Sequence, residues 1–184
     1  MNTKTEITME DHPRYKLVIV GDGGVGKTTF VQRHLTGEFR KNYVPTLGVD
    51  VHPLLFNTNH GQIIFDIWDT AGQERFSGLC EGYAVGADAV MGICDVTSKM
   101  SAENLDWWQN KMNEQRLPSV VCGNKSDCNT HKLSQLDKRR LKEKWGMYFD
   151  VSARSYYNYE KPFLHLARKL SGHNDLVFTP PSSM

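Results

Sequence analysis

The run Gly21-Asp22-Gly23-Gly24-Val25-Gly26-Lys27-Thr28 has the pattern G-x-x-x-x-G-K-[ST]. Glycines at these positions let the backbone wrap a phosphate so closely that successive N–H groups point at it. Lys27 is then placed to reach the β- and γ-phosphates of a nucleotide, and the Thr28 hydroxyl to bind Mg²⁺. The next run of interest is Asp69-Thr70-Ala71-Gly72-Gln73-Glu74. It sets a carboxylate at the end of an apolar run, where a water-mediated Mg²⁺ contact is natural; taken alone, such a carboxylate reads more readily as a turn or helix cap. Asn124-Lys125-Ser126-Asp127 follows a third apolar run. Its Asp can accept two hydrogen bonds from the N1–H and exocyclic amine of guanine, a donor pair that adenine lacks. Each motif is weaker alone than the three are in this order.

The elements that must carry these residues are readable from periodicity. Residues 15–20 form an apolar strand ending at the glycine loop, and residues 27–35 form a helix with Phe30, Val31, His34 and Leu35 grouped on a few faces. Residues 49–56 and 62–68 read as an antiparallel strand pair. Between them lies Asn57-Thr58-Asn59-His60-Gly61, whose Asn and Gly are expected to supply the positive φ of the turn. Runs at 89–94, 119–122 and 148–151 alternate with helical patterns, as βαβ units with a parallel sheet require. Leu105, Trp108 and Met112 share one helical face, and Phe163, Leu166, Ala167 and Leu170 share another. Such stripes are core.

The chain has 184 residues, of which 39% are apolar, enough for one packed domain. A formal net charge of +1 provides no overall field toward nucleic acid or an anionic membrane. Cys80, Cys94, Cys122 and Cys128 lack metal-ligand spacing, which suggests a reducing compartment. No stretch approaches the ~20 apolar residues of a membrane helix, and the first residues lack a signal-peptide core. Without a C-terminal cysteine box, no prenyl anchor is expected. Lys132, Lys138, Arg139, Arg140, Lys142 and Lys144 crowd one basic helix, whose plain reading is a solvated face.

In order and residues the chain resembles the Ras-type small GTPases, and among them the Ran-type nuclear transport GTPases. The resemblance rests on residues 21–29 and on His34-Leu35-Thr36-Gly37-Glu38-Phe39. It rests further on Pro45-Thr46-Leu47-Gly48-Val49-Asp50-Val51-His52-Pro53-Leu54 and on Glu160-Lys161-Pro162-Phe163-Leu164-His165-Leu166-Ala167-Arg168-Lys169-Leu170. It implies an α/β fold, the P-loop NTPase G domain: a mostly parallel six-stranded sheet with one antiparallel edge strand and helices on both faces. That domain is expected at 13–178, between flexible ends at 1–12 and 179–184.

The resemblance also implies roles. GTP or GDP with Mg²⁺ would be held by Asp22, Gly23, Gly24, Val25, Gly26, Lys27, Thr28 and Thr29. Arg40, Lys41, Asn42, Tyr43, Val44 and Pro45 would line it, and Phe39 would pack on the base. Asn124, Lys125, Asp127, Ser152, Ala153 and Arg154 would surround the guanine. Thr28, Thr46 and Asp69 would form the metal shell, Thr46 joining it only when a γ-phosphate is present, and Gly72 would donate its N–H to that phosphate. Gln73 would orient the attacking water, with Lys27 and Thr46 completing the catalytic set. Arg154 stands where the family usually carries lysine, which bears on guanine affinity more than on specificity.

The implied activity is a GTP-hydrolysing switch in receptor-mediated nucleocytoplasmic transport, present in nucleus and cytoplasm as a monomer. Its implied partners are importin-β-type receptors, a Ran-type exchange factor and GTPase-activating protein, and Ran-binding domains, the last weakened because no acidic tail follows residue 184. Nucleic acid and a membrane anchor are not expected. A Rab-like role in membrane traffic shares the run at 68–76 but normally needs C-terminal cysteines. The alternative from another class is a nucleotide-loaded scaffold or decoy that binds transport receptors with poor turnover.

Overall fold

The structure is a computed structural model and describes residues 12–39, 44–72, 80–112 and 116–180. The elements run β1 (Arg14–Val20), α1 (Lys27–Thr36), β2 (Val49–Thr58), β3 (Gly61–Thr70) and α2 (Cys80–Ala84). They continue with β4 (Ala89–Asp95), α3 (Lys99–Met112), β5 (Ser119–Asn124), α4 (Gln135–Trp145), β6 (Tyr148–Asp150) and α5 (Lys161–Ser171). All six strands join one sheet in the order β2-β3-β1-β4-β5-β6. Only the β2–β3 pairing is antiparallel. The expected architecture is therefore present, with β2 as the edge strand. Pro53 lies within β2, a residue that a central strand does not tolerate because it has no ladder N–H.

Strand alternation splits the core into two layers. Leu17 and Ile19 of β1 point to the layer covered by Phe30 and Val31 of α1 and Phe163, Leu166 and Ala167 of α5. Val18 and Val20 point to the other, covered by Ala102, Leu105, Trp108 and Met112 of α3 and Leu141 and Trp145 of α4. Strands buried on both faces read as continuous apolar runs, which is why 15–20 and 89–94 are legible. Leu170 lies at the margin of its layer, half-buried. Cys94 and Cys122 are buried and free. Burial pushes both thiols up, Cys94 to about 12, leaving them unreactive.

One detail differs from expectation. The hairpin is tighter: β2 and β3 pair out to Thr58↔Gly61, so the turn is Asn59-His60. Gly61 alone among residues 57–61 has positive φ, at 101°. The asparagine contribution is instead a side-chain hydrogen bond, with Asn59 Oδ1 accepting from Val177 N at 2.9 Å. Some basic residues of α4 pair with carboxylates on α3 and β6. Lys138 pairs with Asp150 at 2.7 Å, and Asp106 accepts from Arg140 at 3.1 Å and lies 2.9 Å from Lys144. Arg139, Lys142 and Lys144 are exposed, as is Lys132, which precedes α4 rather than lying on it. Ser134 and Asp137 cap α4 reciprocally. Among the described residues no helix is long and apolar enough to cross a membrane.

Candidate functional site

The glycine loop, Asp69 and the base motifs sit where strands stop. The glycine loop follows β1, Asp69 closes β3, Asp95 ends β4, Asn124 ends β5, and Ser152 follows β6. In an open α/β sheet the crevice outside the carboxyl ends of the strands is where ligands bind. Here the glycine loop turns directly into α1, whose N-cap Gly26 is left-handed and bears no side chain between the helix N-terminus and an anion.

Lys27 is 4% exposed. Its Nζ donates to Gly21 O at 2.7 Å and Asp22 O at 3.0 Å, so the ammonium lies across the loop mouth. Gly72 packs against the same mouth with φ of +82°; a Cβ built on it would lie 2.5 Å from Lys27 Nζ and 2.7 Å from Gly23 N. No other residue type allows this approach. The segment at Gly72 thus lies where it can sense what Lys27 holds.

Thr28 and Thr46 are 18 residues apart, yet their hydroxyl oxygens lie 2.7 Å from each other. Beside them Asp69 is fully buried, and neither of its carboxylate oxygens finds a hydrogen bond of good geometry. Burial pushes its pKa up; the nearby Thr28 hydroxyl and then Lys27 and His52 oppose that. An unpaired buried carboxylate is costly unless a cation compensates it. Hydroxyl and carboxylate oxygens are the donors Mg²⁺ prefers, so Thr28, Thr46 and Asp69 fit the ion by type and by the unmet need of Asp69. A cleft of about 220 Å³ opens over this group, reaching Glu38 and Val44.

The base end is assembled through Asn124, which is 2% exposed. Its Nδ2 donates to Val25 O at 3.0 Å and its Oδ1 accepts from Ala153 N at 3.3 Å, tying the glycine loop to the loop after β6. Lys125, with φ of 63°, donates to Gly24 O at 3.0 Å and Asp95 Oδ2 at 2.6 Å. Burial raises the Asp95 pKa, but the Lys125 and Thr97 hydrogen bonds outweigh it and hold the group below its ordinary value. Asp127 Oδ1 accepts from Ser152 Oγ at 2.7 Å. Arg154 stands 3.6 Å from Asp127 Oδ2 with 62% of its side chain exposed. The residue that departs from the family pattern therefore touches the carboxylate expected to read guanine.

Phe39 is half-buried, Val44 and Pro45 are exposed, and Thr29 lines the cleft. Arg40, Lys41, Asn42, Tyr43 and Gln73 lie outside the described residues, as do 1–11 and 181–184. Two contributors escaped the sequence reading. Asp95 anchors Lys125, and Asn104 of α3 donates to Asp22 Oδ2 at 2.6 Å. Asp95 had a readable signal, a carboxylate at a strand end. Asn104 had none, because its partner is 82 residues away. Compared with known families, the chain matches the family model described as Ras family over residues 16–172.

Proposed function

The chain belongs to the Ras family, and from that premise we propose that it binds GTP and GDP with Mg²⁺ through the residues above, hydrolyses GTP, and serves as a Ran-type switch in nucleocytoplasmic transport. A small GTPase of this family works as a switch, with the γ-phosphate setting which conformation is populated. The observation that carries the nucleotide reading is the meeting of Thr28, Thr46 and the unpaired Asp69 at the mouth of the glycine loop.

The reaction is in-line attack of water on the γ-phosphorus of GTP. Lys27 holds the β- and γ-phosphate oxygens and neutralises charge that develops on them. Mg²⁺, when bound by Thr28, Thr46 and Asp69, adds to that neutralisation. Gln73 orients the water, and Asp127 holds the guanine. Ras-like proteins turn over at ~10⁻⁴ s⁻¹ alone and gain ~10⁵-fold from an activating protein. The same regime is expected here.

The transport assignment is supported by the Ran-like runs at 34–39, 45–54 and 160–170. Importin-β-type receptors, a Ran-type exchange factor and activating protein, Ran-binding domains, and a nuclear and cytoplasmic distribution follow from it. The test is a pull-down with an importin-β-type receptor. Capture of the GTP-loaded form over the GDP-loaded form supports the assignment, and equal capture or none refutes it. Measuring hydrolysis with and without a Ran-type activating protein separates the switch from a slow scaffold.

A further inference from the structure

We propose that His60, His173 and Asp175 form a binding site for a zinc-class divalent metal ion that clamps the segment after α5 onto the tip of the β2–β3 hairpin. The three residues come from two places far apart in sequence, the hairpin turn and the chain beyond Gly172, and converge on the surface well away from the nucleotide crevice. One ligand atom from each lies within 4.8 Å of the others. His60 Nε2 is 3.0 Å from Asp175 Oδ2. The His60 and His173 rings stack at 4.1 Å with 11° between their planes.

Two imidazole nitrogens and one carboxylate oxygen are a donor set for zinc, with the outward side left for water. Metal–ligand bonds of ~2.0–2.1 Å put tetrahedral ligand atoms roughly 3.3 Å apart. The ligand atoms lie within 4.8 Å of one another, so to close on one ion the His60 and His173 rings leave their stacked arrangement and turn about their side-chain bonds. Mg²⁺, which takes oxygen ligands, is poorly served here, so this site and the one at Asp69 are chemically distinct.

The backbones beneath the ligands are already fixed to each other. Asn59 Nδ2 donates to Asp175 O at 3.3 Å, and Asn59 N donates to Val177 O at 3.2 Å. Val177 N donates to Asn59 Oδ1 at 2.9 Å and Thr179 N to Asn57 O at 2.9 Å. Thr58 and Phe178 form an antiparallel bridge. A metal therefore meets ligands whose main-chain ordering is largely complete, and its binding energy goes into holding 173–179 against the hairpin.

The test uses the full chain, stripped with chelator and loaded with GDP in saturating Mg²⁺, titrated calorimetrically with ZnCl₂. One equivalent binds, and the melting temperature rises with zinc. Single variants His60→Gln, His173→Gln and Asp175→Asn each weaken binding by roughly tenfold or more and diminish the rise at a given zinc concentration. These side chains are exposed, and an unchanged metal-free melting temperature establishes that the variants fold. Absence of saturable zinc binding, or binding that all three variants leave within that factor of wild type, overturns the proposal.

Discussion

Replacing Gly72 with alanine isolates the link between the glycine loop and the segment after β3. An alanine Cβ would fall 2.5 Å from Lys27 Nζ and 2.7 Å from both Gly21 O and Gly23 N, whereas ordinary contacts need about 3.5–4.0 Å. Lysine can swing its ammonium aside, but the two backbone atoms cannot, so the segment has to retreat by roughly 1 Å. The left-handed backbone at φ of +82° adds ~1–2 kcal/mol for any L side chain. A retreat of that size takes the N–H of residue 72 out of reach of a γ-phosphate held by Lys27. A hydrogen bond to a charged group is worth ~1.5–3 kcal/mol, or roughly 10- to 150-fold in affinity. GDP has no γ-phosphate and is spared. Displacement of a fluorescent nucleotide in saturating Mg²⁺ should therefore show Gly72→Ala losing GTP affinity by that factor relative to GDP. An unchanged GTP:GDP ratio in a folded variant would refute the sensing role of Gly72.

Three further outcomes are expected. Arg154→Ala should change GDP affinity by less than ~5-fold, because an exposed pair at 3.6 Å is screened, whereas Asp127→Ala should cost roughly 100-fold or more by removing the acceptor of two base hydrogen bonds. Equal losses in a binding titration would show that Arg154 contacts the base itself. Gln73→Leu should keep GTP binding and suppress single-turnover hydrolysis; normal turnover would exclude Gln73 as the residue that orients water. His34, whose ring packs on Tyr159 at 3.9 Å and Phe163 at 4.6 Å, is pushed down to about 4 by burial. A histidine with a depressed folded pKa stabilises above its unfolded value near 6.5 and loses that contribution as pH falls toward 4. The loss is at most about 3 kcal/mol. Denaturant midpoints at pH 7 and 4.5 should thus fall further for wild type than for His34→Gln, and parallel curves would show that His34 does not titrate on unfolding.

The parts of the site that were legible in the sequence share one property: their function is local. The glycine loop reads directly because wrapping a phosphate demands particular residues at consecutive positions, and the helix behind it follows from one apolar stripe. Asn124 to Asp127 reads for the same reason. The core stripes of α3 and α5 are legible because periods of 2 and 3.6 survive burial. What could not be read depends on partners far along the chain. Asn104 reaches Asp22 across 82 residues, and Lys125 reaches Asp95 across 30. The ion pairs of the basic run of α4 were not readable because Asp106 and Asp150 lie on other elements. The hairpin turn misled in a smaller way, since Asn59 is used for its side-chain acceptor rather than for a left-handed backbone.

Those long-range bonds explain how two loops with separate tasks can act on one ligand. The phosphate loop and the base loops leave different strands, and nothing in either motif fixes the distance between them. Asn124 bridges Val25 to Ala153, and Lys125 bridges Gly24 to Asp95, so the carbonyls of the phosphate loop are bonded by the same residues that open the base motif. Because Asn124 is buried, removing either of its bonds leaves a polar group unpaired, at ~1–3 kcal/mol. The distance between the two loops is therefore fixed by bonds within the protein itself. Thr46 and Gly72 approach the loop from outside this framework, as a switch set by a γ-phosphate would require.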